Sequence, residues 1–244
     1  MPTGERSARP VYRHPMSNRP LALVTGASRG IGAAVAHALA PTHDLLLGGR
    51  DEAALARVAE PLPAARPWVA ELTDPEALRA ATAGIDRLDV LVHSAGVADI
   101  GPLADTSVEV WRRTLEVNVV AVAELTRLLL PALRAARGHV VLVNSGAGLR
   151  ANPGWGVYAA SKFALRAYAD VLRAEEAAHG VRVTSVHPGR VATDMQRAVR
   201  AREGGEFEPQ KYLRPESVAA AVLSAVTVTP DAHLTEIMVR PLGG

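Results

Sequence analysis

A three-layer α/β fold around a central, mainly parallel seven-stranded sheet is predicted by two observations. From Arg19 onward, short Leu- and Val-rich runs alternate with longer Ala-rich segments of helical period, the βαβα pattern of a doubly wound sheet. The short runs are almost continuously apolar, as in VVLV at 140–143, which marks strands covered on both faces.

Taken in order, the strands are expected at Leu21 to Thr25, Asp44 to Gly48, Pro67 to Ala70, Asp89 to His93, His139 to Asn144, Arg182 to His187 and Glu236 to Val239. Between them, helices are expected over 29–40, 51–59, 74–83, 106–136, 157–179 and 215–226. Two helix starts are signalled strongly. Asp74-Pro75-Glu76 supplies a capping residue followed by proline at the first helical position, and Pro215-Glu216 repeats the device. Residues 190–214 show no period, carry many charges and contain Gly204-Gly205, so a mobile, irregular flap is expected there.

At 244 residues, with 48% hydrophobic and 21% charged positions, the chain has ample material for one α/β core. It has no cysteine, so it can form neither a disulfide framework nor a thiolate metal site, and no metal is expected. The same absence suits the cytoplasm, the expected location. The net charge of +2 is unevenly placed. Residues 1–15 carry Arg6, Arg9 and Arg13 against Glu5, while from Met16 onward 24 basic residues balance 24 acidic ones. A neutral body argues against nucleic acid as a partner. The most apolar segment, Val117 to Leu133, is broken by Asn118, Glu124 and Arg127, which makes it a buried helix and not a membrane span. Residues 1–19 are polar, contain Pro2, Pro10 and Pro15, and lack the apolar stretch of a secretory signal. They read as a disordered arm, or as sequence upstream of a start at Met16, ahead of a single domain over 20–244.

Directly after the first strand comes TGASRGIG, Thr25 to Gly32. Glycines at 26, 30 and 32 let the backbone turn tightly and approach a pyrophosphate, and the following helix offers unpaired N–H groups at its start. In this position, after strand one and before helix one, the loop indicates a Rossmann fold that binds a dinucleotide. An acid at the end of the second strand favours NAD there, and an arginine favours NADP. Here the strand ends LLLGGR, with Gly49 where the acid would stand and Arg50 next, and Arg29 within reach of the same phosphate. NADP(H) is therefore the expected cofactor. The alternative leaves Arg50 solvated and gives Asp51, otherwise read as a helix cap, to the ribose.

The chain has 25 arginines and two lysines, and one of those lysines is in VYAASK, four residues after Tyr158. At that helical spacing Tyr158 and Lys162 share one face. A compact ammonium on a flexible stem can sit beside a phenol and still leave room for a ligand, which a guanidinium cannot do as readily.

Thr25-Gly26-x-x-x-Gly30-x-Gly32, Asn118, Ser145, Tyr158-x-x-x-Lys162 and Pro188-Gly189 occur in the order and spacing of the short-chain dehydrogenase/reductase family, which the chain resembles from about Pro20 to Gly244. The resemblance implies that Tyr158 is the acid/base, that Lys162 lowers its pKa and holds the nicotinamide ribose, that Ser145 binds the carbonyl oxygen and that Asn118 organises a proton relay. It implies cofactor contacts from Gly26, Ser28, Arg29, Gly30, Ile31 and Gly32 in the loop, and from Arg50, Glu71 and Leu72 on the adenosine side. Further contacts are implied from Ala95, Gly96, Asn118, Tyr158 and Lys162, and past the fourth turn from Pro188, Gly189, Val191 and Thr193. The chemistry asks for these types. A phenol of pKa near 10 is a poor base, and bringing it to about 7 takes roughly 4 kcal/mol of anion stabilisation, which a nearby ammonium helps to supply.

Two positions depart from the family pattern. His93-Ser94-Ala95-Gly96 stands where Asn-Asn-Ala-Gly is usual, and His93 reads as a satisfied strand-end residue. The acid after the third strand is Glu71, which leaves its adenine contact open. Family reductases that use acyl carrier protein carry docking arginines where this chain has Ala136 and His179, so a free carbonyl or alcohol is the expected substrate. Its pocket is expected from Ser145, Tyr158, Val97, Ile100, Leu149 and Trp155, covered by Met195, Phe207 and Tyr212 of the flap, and to favour apolar compounds. The rival readings are an NAD-dependent alcohol dehydrogenase and a non-catalytic dinucleotide-binding regulator. A homodimer or homotetramer is expected, because helices 106–136 and 157–179 carry more apolar surface than one sheet face covers.

Overall fold

The computed structural model describes residues 18–242. The expected arm over 1–19 lies outside them except for its last two residues. One sheet of seven strands runs in the order β3-β2-β1-β4-β5-β6-β7, with every neighbouring pair parallel. The strands are β1 (Leu21–Thr25), β2 (Asp44–Gly49), β3 (Ala65–Val69), β4 (Val90–His93), β5 (His139–Val143), β6 (Arg182–Pro188) and β7 (Glu236–Val239). The sheet is entirely parallel, where the sequence predicted a mainly parallel one.

Alternation along each strand divides the core between the two faces. In β1, Leu21 and Leu23 face a cluster built on Leu125, Leu129, Leu133, Leu165 and Leu172, which belong to α5 (Ala121–Ala136) and α6 (Gly156–Glu176). Ala22 and Val24 face the opposite cluster, with Val35 and Leu39 of α1 (Gly30–Leu39), Leu55 of α2 (Glu52–Ala59), and Val218 and Val222 of α8 (Pro215–Thr227). The remaining helices are α3 (Pro75–Thr82), α4 (Val108–Leu115) and α7 (Asp194–Arg202). The chain winds outward from β1 to β3, then crosses back to β4 on the other side of β1. The carboxyl ends of β1 and β4 therefore flank the switch point where such sheets bind ligands.

Both signalled helix starts are realised, with Asp74 Oδ1 accepting from the N–H groups of Glu76 and Ala77 and with proline opening α3 and α8. Three expectations are corrected. The strand expected at Pro67 to Ala70 begins two residues earlier, at Ala65; β3 is an edge strand, where a proline without an N–H is tolerated. The helix expected over 106–136 is α4 and α5 joined by a π-helical turn at Glu116–Val120, which contains Asn118. The segment 190–214 is not irregular throughout. Its middle is α7, capped by the Thr193 hydroxyl, which accepts from the Gln196 N–H at 3.3 Å. Charge hid that helix in the sequence and also holds it in the fold: Arg202 at its end donates to Asp99 at 2.8 Å, and Arg190 forms two 2.7 Å bonds with Glu203. Among the described residues no helix is long and apolar enough to cross a membrane.

Candidate active site

The β1 loop meets the β4 loop with no space between them. Gly26 has φ +66°, and a Cβ there would fall 2.8 Å from the Ala95 nitrogen; at Gly32 it would fall 2.3 Å from the Gly26 carbonyl oxygen. Thr25 ties the two loops together, its hydroxyl accepting from the N–H groups of Ser94 and Ala95 at 3.1 and 3.2 Å. Helix α1 opens with no side-chain cap and no acid in its first turn. Its free N–H groups and positive dipole thus face the cradle left by the glycines, an arrangement that fits a pyrophosphate.

At the end of β2, Arg50 is largely exposed and donates to Glu71 at 3.2 Å. Burial pushes the Glu71 carboxyl up, but bonds from the Thr73 N–H and hydroxyl and from Arg50 outweigh it and hold the group below the usual range. Asp51 is engaged as the α2 cap, accepting from the Ala54 N–H at 2.9 Å. Arg29 pairs loosely with Asp194 at 3.7 Å, both side chains being largely exposed.

Asn118 is buried, and its side chain is fully committed. Its Oδ1 accepts from the Val97 N–H at 2.9 Å, while its Nδ2 donates to the Val97 carbonyl at 2.9 Å and to the Ser161 hydroxyl at 3.0 Å. Ser161 in turn donates to the Tyr158 carbonyl at 2.7 Å. The π-helical turn is what turns this amide toward the β4 loop, since an extra residue in the turn re-aims the side chains around it.

Ser145 follows β5 by two residues and caps a short turn over Gly146–Gly148, its hydroxyl oxygen accepting from the Ala147 N–H at 3.1 Å. The same hydroxyl faces the Tyr158 phenol on α6 closely enough to favour its ionised form. Lys162, one turn on, donates from Nζ to the Val143 carbonyl at 3.1 Å and lies 5.7 Å from the centre of the Tyr158 ring. Burial pushes the Tyr158 phenol above its ordinary pKa, and the Ser145 hydroxyl opposes that rise. Burial also brings the Lys162 ammonium down to about 8. Burial is the largest influence on the phenol here, and the Lys162 ammonium, 5.7 Å from the centre of its ring, makes its hydrogen bond to Val143.

Beyond β6, the Gly189 N–H donates to the Val239 carbonyl at 2.8 Å, and Val191 pairs with Leu213. Trp155 stands edge-on to Tyr158 at 5.7 Å, with the Arg190 guanidinium over the Trp155 ring, 5.6 Å from its centre. The flap residues expected to cover the pocket have contacts of their own. Phe207 and Tyr212 pack on each other at 5.6 Å, Arg197 lies 4.2 Å over Phe207, and Met195 is 41% exposed. Of these, Met195 lies on α7, while Phe207 and Tyr212 lie on the stretch that follows it. His93 is a satisfied residue as expected, its Nε2 paired with the Thr126 hydroxyl at 2.9 Å and its pKa pushed down to about 3 by burial.

Residues 20–204 match the family model described as short chain dehydrogenase. The chain belongs to the short-chain dehydrogenase family. Among curated relatives, the glycine betaine reductase ATRR of Emericella nidulans is 37% identical over 254 residues, covering 98% of this chain; the chain spans 20% of that protein's length. Among solved structures, an alcohol dehydrogenase from the archaeon Thermococcus sibiricus, complexed with 5-hydroxy-NADP, is 27% identical with a TM-score of 0.83, over 93% of this chain and 98% of that one. A metagenomic short-chain oxidoreductase in complex with NADP is 30% identical with a TM-score of 0.78, over 92% and 98%.

Within this short-chain dehydrogenase, reading the sequence missed three participants. Ser161 lies inside the YAASK stretch, three residues after Tyr158 and so on its helical face, which was a usable signal. The Val143 carbonyl and His187 carried none, because each reaches the site only through the pairing of β5 with β6.

Proposed function

We propose that this short-chain dehydrogenase is an NADP(H)-dependent oxidoreductase that interconverts a free carbonyl compound and its secondary alcohol. The observation that carries this reading is the buried Tyr158 phenol, facing the Ser145 hydroxyl on one side with the Lys162 ammonium 5.7 Å from its ring centre. A protonated phenol at neutral pH is ready to give a proton, which is what reduction requires.

When bound, NADPH supplies the hydride. Ser145 donates a hydrogen bond to the carbonyl oxygen and Tyr158 gives that oxygen its proton, so the carbon gains two electrons and one hydrogen while the oxygen becomes a hydroxyl. The Lys162 ammonium then faces the phenolate left behind and stabilises it. Asn118 holds Val97 and, through Ser161, the turn that carries Tyr158. Arg50 is the partner for the 2′-phosphate of the adenosine ribose, released from Glu71. With Asp51 engaged as a helix cap, NADP is favoured over NAD. The two solved relatives, one complexed with 5-hydroxy-NADP and the other with NADP, support that choice. A panel of aldehydes and ketones followed by NADPH absorbance, with NADH in parallel, tests the reading. Consumption of NADPH is expected, and a protein that binds NADPH but reduces nothing would be a regulator instead.

A further inference from the structure

His187 is the penultimate residue of β6, and its side chain is completely enclosed. Its Nδ1 lies 3.2 Å from the carbonyl oxygen of Ser145. The regular pairing of β5 with β6 ends at Val143 and Val186, and the last rung beyond it is the Asn144 N–H donating to the Val186 carbonyl at 2.8 Å. At Ser145 the two strands have parted, and its carbonyl accepts from the Gly148 N–H at 3.0 Å within the turn and from the imidazole across to β6.

The contact determines the ring's tautomer. A carbonyl oxygen only accepts, so Nδ1 carries the proton. Nε2 is then an acceptor, buried without a hydrogen-bond partner among the described residues and 3.7 Å from the Glu236 carboxylate on β7. Glu236 is itself held by Arg166 of α6 at 3.0 Å, and Arg240, after β7, donates to the His187 carbonyl at 2.6 Å and lies over Gly146. Burial pushes the ring's pKa down, the Ser145 bond and Glu236 push it up, and Arg166 and Arg240 push it down again; the balance is a lowered value and a neutral ring. An apolar side chain would fill the same space without an unpaired nitrogen. The one contact that repays the histidine is Ser145.

We propose that His187 is a positioning residue for Ser145, anchoring the carbonyl of the residue whose hydroxyl stands against Tyr158. Without it the 145–146 peptide keeps only the turn's own bond, from the Gly148 N–H at 3.0 Å, and loses its tie to β6, so the hydroxyl can shift with the turn. This rests on the roles given above to Ser145 and Tyr158.

Three variants separate positioning from packing. In His187→Asn an amide N–H takes the place of Nδ1; in His187→Gln it reaches past it; His187→Leu offers none. The primary readout needs no substrate: the ultraviolet titration of the Tyr158 phenol, taken as each variant's spectrum minus that of the same protein carrying Tyr158→Phe. Displacing the Ser145 hydroxyl removes a group that favours the phenolate, so H187L and H187Q are expected to raise the midpoint by about half a pH unit or more, and H187N to keep the wild-type value. With a reducible carbonyl compound, H187L and H187Q should also lose kcat on the order of tenfold with the KM for NADPH unchanged. Should H187L fail to fold, H187Q against H187N carries the same comparison. Folded H187L or H187Q with a wild-type midpoint would overturn the proposal. A wild-type protein that reduces no carbonyl compound would overturn the proposed function instead, and the titration would still judge His187.

Discussion

Lys162 Nζ lies 5.7 Å from the centre of the Tyr158 ring and is held there by the Val143 carbonyl oxygen, 3.1 Å away. The ammonium is thus placed by the last residue of β5 and not by the phenol. Its position survives any change at Tyr158, and its charge depends on the dryness of the site.

From that independence, Tyr158→Phe should leave NADPH affinity within a factor of about two and lower turnover by at least about a hundredfold, because it deletes the transferable proton alone. Fluorescence titration with NADPH and single-turnover kinetics measure the two parts. Turnover within tenfold of wild type would remove Tyr158 from its proposed role.

Lys162→Ala should damage both cofactor affinity and rate, and Lys162→Arg should restore charge without restoring either fully, since a guanidinium cannot occupy the same buried space. Because burial brings the ammonium down to about 8, its charge is present below that pH and lost above it. The KM for NADPH in the wild type is therefore expected to climb as pH passes about 8, and that climb should be absent from Lys162→Ala.

Arg50→Asp should move the ratio of kcat/KM for NADPH over NADH toward NADH by about tenfold or more, since it replaces a phosphate partner with a like charge. The substitution also places a carboxylate near Glu71, which loses the 3.2 Å bond it has now. An unchanged ratio would mean that the adenosine phosphate is recognised elsewhere.

Arg134 joins α5 to α6 through two bonds to Glu176, at 2.8 and 2.6 Å, and the Glu176 side chain is 3% exposed. Arg134→Ala should lower stability at neutral pH, because it leaves the buried Glu176 carboxylate without its partner. Arg134 holds the Glu176 carboxyl below the usual range, and a depressed carboxylate contributes stability above its unfolded pKa that is lost as pH falls through the folded one. The difference between wild type and variant in urea titrations should accordingly be full at neutral pH and shrink in acid below about pH 4.

Val108 and Val120 on the α4–α5 side and Phe163 and Val171 on α6 are between 41% and 56% exposed. Their exposure supports the proposal of a homodimer or homotetramer, and multi-angle light scattering at micromolar concentration should report one of those masses. A single monomeric species would contradict it.

The sequence alone determined what depends on neighbours in the chain. Strand alternation, the glycine loop leading into α1, the Asp74-Pro75 cap and the one-turn spacing of Tyr158 and Lys162 are local, and each was legible because a few adjacent residues suffice to produce it. The seven strands were found with bounds off by at most two residues, and the Asp51 cap was named from its place before α2. Where local signals conflict, the reading failed: the charges of α7 masked its helix, since partners such as Asp99 for Arg202 and Arg29 for Asp194 lie far off in the chain. Tertiary structure alone decided the order of strands, which puts β4 beside β1, and with it the meeting of Asn118 with Ser161 and of Ser145 with His187. It also decided the sign of the shift at Tyr158. A pKa is set by how much water is left around the phenol, and the burial that removes that water is contributed by helices and strands distant in sequence.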